Sequence, residues 1–241
     1  GEARTGNWDS DSADFIGPTL WSSDPKIFGI QPAGKNGSHI DMLHATPFCV
    51  GIAHEAKNIY WLFNGQVGSL DRYDFHAPHE VGGEDHSDGE SWRWAKGELS
   101  RVPDVPGHLV YDPRDGSLYV ADTGHGRVLR LDTKSGKDGE PLSTDDPQMP
   151  SITEHVGASL TELVPPGVLQ IPSGIALDGD ILYVTDNATS LVHAFDLEGK
   201  ALGALDTGLP TGTLAGITIG PDGRAYLADI ARGIVRRVEV R

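Results

Sequence analysis

The residues best able to do chemistry in this sequence are its histidines, and four of them fall on one blade-sized stretch. The segment DFHAPHEVGGEDHSDG carries His76, His79 and His86 with Glu80, Glu84, Asp85 and Asp88. His54 and Glu55 lie at the end of the apolar run FCVGIA just before it. Imidazoles suit zinc or copper, and carboxylates suit calcium. His54, His76, His79, His86, Asp85 and Asp88 are therefore the candidate metal ligands. Their spacing matches no known metal motif. The alternative is a polar loop whose side chains hold its own backbone through turns.

A second set consists of His44, His108 and His125. His44 lies in the connection before Pro47, His108 opens an apolar run, and His125 follows the segment LYVAD. Neither His44 nor His108 occupies an evident core position, so these three are the candidates for catalysis. Asp122, Asp186 and Asp229 each close a similar segment, and Asn64 takes that place in another. Carboxylates and amides there are expected to cap turns by bonding to the backbone. The sequence has no nucleophile elbow and no phosphate-binding loop. Cys49 is the single cysteine, set in an apolar run, and reads as a small buried hydrophobe.

The elements that must position these residues are repeats. VPGHLVYDPRDGSLYVADTGHGRVLRLD (Val105 to Asp132) returns as IPSGIALDGDILYVTDNATSLVHAFD (Ile171 to Asp196) and as LAGITIGPDGRAYLADIARGIVRRVEV (Leu214 to Val240). An earlier copy runs from Pro47 to Phe75. Each has a short apolar strand, a turn, a β-branched strand and an alternating strand. A sheet of this size cannot bury both faces alone, so neighbouring repeats must stack. That predicts an all-β propeller of five or six four-stranded blades in one domain. The expected blades are about 1–46, 47–103, 104–168, 169–208 and 209–241.

The least regular stretch is Gly1 to Pro47, and the tail after Asp132 is too long for a simple turn. LWSSD and KIFGI are expected to be second and third strands of a degenerate blade. The tail after Asp132 is expected to hold either another degenerate blade or a short helix at SITEHVGASLTEL. The last repeat has no fourth strand, so a strand from Gly1 to Pro32 is expected to complete or adjoin the terminal blade. Trp92 and Trp94 alternate onto one side of a strand, either as a platform for a partner or glycan or as packing between blades.

The Val105 copy resembles the NHL repeat. It has a Pro before the inner strand, a small residue, an Asp–Gly turn, then Leu-Tyr-Val-Ala-Asp and Gly-Arg-Val. The likeness covers about two thirds of the chain, and the stretch from GSHIDML to HSDG also resembles bacterial NHL-type proteins. It implies a propeller and little about function. Peptidyl-hydroxyglycine amidating lyases of this type bind zinc through a His directly after that Pro. Phe48, Gly107 and Ser173 stand there in this chain, so the lyase activity does not carry over.

Composition bounds the partners. The 241 residues carry a formal net charge of −16, which disfavours nucleic acid and anionic membrane surfaces. No apolar run is long enough to span a bilayer. The chain starts at Gly1 with no signal peptide, which reads as a processed or excerpted chain. The expectation is an acidic binding module outside the cytoplasm (secreted, periplasmic or at the cell surface), holding a divalent metal (zinc, copper or calcium) but no organic cofactor. It would bind a protein partner or small ligand on a propeller face within a larger assembly. The alternatives are a metal-dependent hydrolase or lyase centred on His44, His108 and His125, and a metal-free scaffold.

Overall fold

The computed structural model describes residues 17–29, 37–77, 79–83, 85, 88–146 and 149–239. It opens with β1 (Thr19–Trp21), the helical turn α1 (Pro25–Phe28) and β2 (His39–Met42), with β1 and β2 paired antiparallel. Four larger sheets follow. The Pro47 blade holds β3 (Cys49–Ala56), β4 (Ile59–Asn64), β5 (Ser69–Asp74) and β6 (Glu90–Trp94). The Val105 blade holds β7 (Leu109–Asp112), β8 (Ser117–Asp122) and β9 (Arg127–Asp132). A hairpin, β10 (Lys137–Asp146) and β11 (Met149–Val156), interrupts it before its outer strand β12 (Leu160–Val164). The Ile171 blade is β13 (Pro172–Asp178), β14 (Ile181–Asp186), β15 (Leu191–Phe195) and β16 (Ala201–Asp206). The Leu214 blade is β17 (Leu214–Ile219), β18 (Ala225–Asp229) and β19 (Ile234–Val238).

The inner strands β3, β7, β13 and β17 stand side by side in that order, so the sheets radiate from a common axis as propeller blades do. Period-two alternation along each second strand explains the stacking. Trp61 and Phe63 of β4 face Leu118 and Val120 of β8, in one core layer. Tyr119, between those two, points the other way and packs with Leu182 and Val184 of β14. Tyr183 in turn packs with Leu227 of β18. Leu62 faces back toward Leu43 and Leu20 beside β1 and β2. Each large aliphatic or aromatic side chain removed from water in these layers stabilises the stack by roughly 1.5–3 kcal/mol.

Three expectations need correction. KIFGI does not form a third strand. Asp24 caps a helical turn by accepting from the Lys26 N–H at 2.9 Å, and Pro25 stands at its first position, an arrangement that favours helix initiation. The tail after Asp132 forms neither a blade of its own nor a helix. It makes the β10–β11 hairpin, which reaches back to the neighbouring blade. There β11 pairs in parallel with β6, Thr153 opposite Trp92 and His155 opposite Trp94. The unpaired edge of β6 thus gains strands, and SITEHV is β-branched and alternating enough to supply one. The described strand from the segment expected to close the last blade, β1, pairs with β2, while residues 1–16 and 30–36 lie outside the described ones.

Candidate functional site

The axis of the propeller is built from one repeated position. Ile52, Leu109, Ile175 and Ile217 occupy equivalent places, each opposite the residue two before the Asn or Asp that ends the second strand. The residue before each of them is Gly51, His108, Gly174 and Gly216. Here the inner strands touch through their backbones. Gly107 N–H donates to Val50 O at 3.1 Å, and His108 N–H to Ser173 O at 2.9 Å. A methyl on Gly51 would lie 2.1 Å from Gly107 O, and one on Gly174 would lie 2.6 Å from Ile217 N. Both distances are far inside van der Waals contact, so only glycine permits this approach.

His108 is the exception to that pattern. Its ring crosses to the Leu214 blade, where a methyl on Gly216 would come 3.0 Å from Cε1. Neither ring nitrogen has a hydrogen-bond partner among the described residues. Burial lowers its pKa from the ordinary histidine value, because desolvation disfavours the imidazolium. His108 lines a cavity of about 920 Å³ along the axis, with Ile52, Val110, Leu177 and Ile219 from the inner strands and Leu20 and Trp21 from β1. His54 lines it further along β3 and bonds through Nε2 to Lys57 O at 2.9 Å.

The other two catalytic candidates are held elsewhere. His44 is buried, and its Nδ1 lies 3.1 Å from Asp146 Oδ2 at the tip of the hairpin. The same carboxylate oxygen accepts from Ala45 N–H at 3.0 Å. His125 lies half exposed against Asp122, Nδ1 to Oδ2 2.9 Å. Neither lines the axial cavity: His44 lies in the connection into β3, and His125 in the turn between β8 and β9. Arg93 and Asp71 form a buried pair nearby, Nη2 to Oδ2 2.7 Å. Arg93 also donates to Ala45 O, as does Asn64 Nδ2. This polar network joins the connection before Pro47 to three strands of its blade.

The metal candidates are spread along the insertion. His76 lies between Asp74 and Glu90, at 3.4 and 3.3 Å. His79 Nδ1 lies 2.6 Å from Glu80 O, and its ring stands edge-on to His39 at 5.0 Å. Asp88 accepts from Ala77 N–H at 3.3 Å. Asp85 is among the described residues, and His86 lies outside them. Among the described residues no three His, Cys, Asp or Glu side chains gather closely enough to hold a metal ion. Gly82 N–H donates to His39 O at 2.7 Å, so the insertion folds against β2. Close by, burial raises the Asp41 carboxyl to about 6, against the lowering effect of its bond from Asn58.

Asp186 and Asn64 cap their own turns as the repeat pattern predicts, Asp186 by accepting from Ala188 N–H at 3.0 Å, whereas the backbone bond of Asp122 goes to another connection. Asp122 accepts from Ser100 N–H at 2.8 Å, and Asp186 from Gln170 and Ile171 N–H at 2.8 and 3.1 Å. Asn64 Oδ1 accepts from Gln66 N–H at 3.1 Å. Asp122 and Asp186 fasten the connection that enters their own blade, a role the local sequence does not display. Asp229 caps its own turn by accepting from Arg232 N–H at 3.2 Å. Cys49 is buried, and desolvation raises its thiol to about 11, which suits packing and not nucleophilic attack. Trp94 is buried between blades, stacked on His155 with centroids 3.5 Å apart. It thus serves blade packing.

The equivalence of His108 with three glycines was legible in the aligned repeats and is the signal that singles it out. Asp146 and Arg93 carried no such signal, because their partners lie 102 and 22 residues away.

The chain matches no protein-family model and no curated protein sequence. Among solved structures, an auxiliary nutrient binding protein from Bacteroides thetaiotaomicron shares the fold. The match covers 93% of this chain and 56% of that one, at 12% identity and a TM-score of 0.55. More remote likenesses are a streptogramin B lyase (80% and 54% covered, 14% identity, TM-score 0.49) and Myxococcus xanthus glutaminyl cyclase (85% and 78%, 15%, 0.48). The chain spans just over half the length of the first two of these three proteins. Among the described residues no helix is long and apolar enough to cross a membrane.

Proposed function

We propose that this protein is a ligand-binding module of NHL-like type, and that its ligand is a small molecule seated in the axial cavity. The observation that supports this reading is the cavity itself. Its volume of about 920 Å³ falls in the range of small-molecule sites, and its lining combines aliphatic side chains with nearly as much polar surface, including His54, His108, Tyr111 and Thr218. In this reading the module works outside the cytoplasm within a larger assembly, and its acidity keeps it soluble. Of the histidines considered for a hydrolase or lyase, only His108 faces the cavity, which favours binding over catalysis.

A thermal-shift screen of small molecules against the full chain and an Ile219→Trp variant tests the reading. Ligands that stabilise the parent chain are expected to lose much of their effect when the indole projects into the cavity. Ligands that stabilise both proteins equally would refute it.

A second reading, a metal site on the insertion, is favoured by one observation, the approach of His79 to His39. Its ligands would come from His54, His76, His79, His86, Asp85 and Asp88. Elemental analysis of the gently purified protein, followed by titration with zinc, copper and calcium, decides it. Bound metal that is lost in His79→Ala supports the reading, and no binding of any of the three removes it.

A further inference from the structure

The lining of the axial cavity restricts what can enter it. The described residues along it include no Asp, Glu, Lys or Arg, although the chain as a whole carries 35 acids and 19 Lys and Arg. A charged ligand would leave water for walls that offer no counter-charge, at a large desolvation cost. His108 sits at the one point where three other blades present glycine, and its ring has no hydrogen-bond partner among the described residues. A neutral imidazole offers one N–H donor and one acceptor nitrogen. Around it, Ile52, Val110, Leu177 and Ile219 supply aliphatic side chains, with Tyr111, Thr218 and His54 among them. Three residue steps along the strand lead from Gly51 to His54, a length of about 10 Å.

From this geometry we infer that the axial site takes an uncharged, elongated apolar molecule with a single hydroxyl or amide head, which hydrogen-bonds the His108 ring. This inference rests on the proposed binding role of the same cavity. It assigns His108 as the residue that sets ligand class: the head is read by the imidazole and the tail by the four aliphatic side chains. Burial of the ring opposes its protonation, so the site gains no cationic character that would attract a carboxylate.

The test uses three probes of equal length, 1-octanol, octanoate and octylammonium, titrated into the full chain. Affinity is followed by calorimetry and location by the isoleucine methyl and histidine Cε1–H signals. Octanol is expected to move Ile52, Ile219 and His108 together, with both charged probes at least about tenfold weaker. His108→Leu keeps the apolar volume and is expected to weaken octanol by roughly tenfold, with the methyl shifts unchanged in pattern. His108→Gly, the residue of the other three blades, serves as the second variant should leucine disturb the fold, and is expected to weaken octanol likewise. Octanoate or octylammonium binding as tightly as octanol at the same methyls would overturn the ligand class while leaving the cavity as the site. Indifference of octanol to both His108 variants would overturn the role of His108. If all three probes move residues outside the cavity, the binding role of the axis falls as well.

Discussion

Gly174→Ala perturbs the propeller axis directly. The added methyl would lie 2.6 Å from Ile217 N, 2.7 Å from Gly216 Cα and 2.7 Å from Thr185 Oγ1. Two of these are backbone atoms of the neighbouring inner strand, and carbon contacts are comfortable only near 3.5–4.0 Å. The β13 and β17 strands must therefore separate by about 1 Å in a layer that packs Ile217 against Leu227. Overpacking of this kind costs about 3 kcal/mol, which lowers the melting temperature by roughly 6–12 °C for a chain of this size. Gly216→Ala makes the contrast. Its methyl meets the His108 Cε1 at 3.0 Å, and a ring can turn aside where a backbone cannot. Its cost should stay near or below about 1 kcal/mol. In a His108→Gly background the same change should be neutral or slightly stabilising, since alanine restricts the unfolded chain. Calorimetric melting of the four proteins measures this. The reasoning fails if Gly174→Ala is as mild as Gly216→Ala, or if removing the imidazole leaves the cost of Gly216→Ala unchanged.

Other perturbations follow from the same geometry. Arg93→Met leaves Asp71 buried without its guanidinium and should cost about 3–5 kcal/mol in chemical denaturation. Because burial lowers the His108 pKa below the unfolded value, the unfolded chain takes up the proton first. Stability should therefore fall as pH drops below about 6.5, and His108→Leu should flatten that part of the profile. Asp41 has the opposite sign. Its carboxyl is raised from 3.8 to about 6, so its contribution is lost as pH rises through that window, and Asp41→Asn should stabilise the protein at pH 8 but not at pH 4. Asp146→Ala removes the acceptor shared by His44 and Ala45. Hydrogen exchange should then quicken in 137–156 while the inner strands keep their protection, and unchanged exchange there would show that the carboxylate does not hold the hairpin.

What the sequence displayed was the repeat. LYVAD, LYVTD and AYLAD were legible as second strands, and the first two are buried along nearly their whole length while AYLAD buries alternate residues. Capping by the closing Asp was equally legible, because a carboxylate at a strand end has few other uses. The hairpin was not, since nothing local in KDGEPLSTDD or SITEHV says that its partner strand, β6, lies in the preceding blade. His44 and His125 were grouped with His108 as catalytic candidates because the sequence shows where each stands along a repeat but not what its ring touches. Only the packing shows that two of them are tied to Asp146 and Asp122. The glycines opposite His108 were visible as repeated letters, and their meaning depended on knowing how closely the inner strands approach.

Methyl chemical-shift mapping during titration with a mixed set of small neutral molecules tests the binding role of the axis most directly. Ile52, Leu177 and Ile219, which come from three different blades and all line the cavity, are predicted to shift together and to saturate with one affinity. Shifts gathered instead at the outer strand beside Val235, which is 69% exposed, with those three signals still, would contradict it.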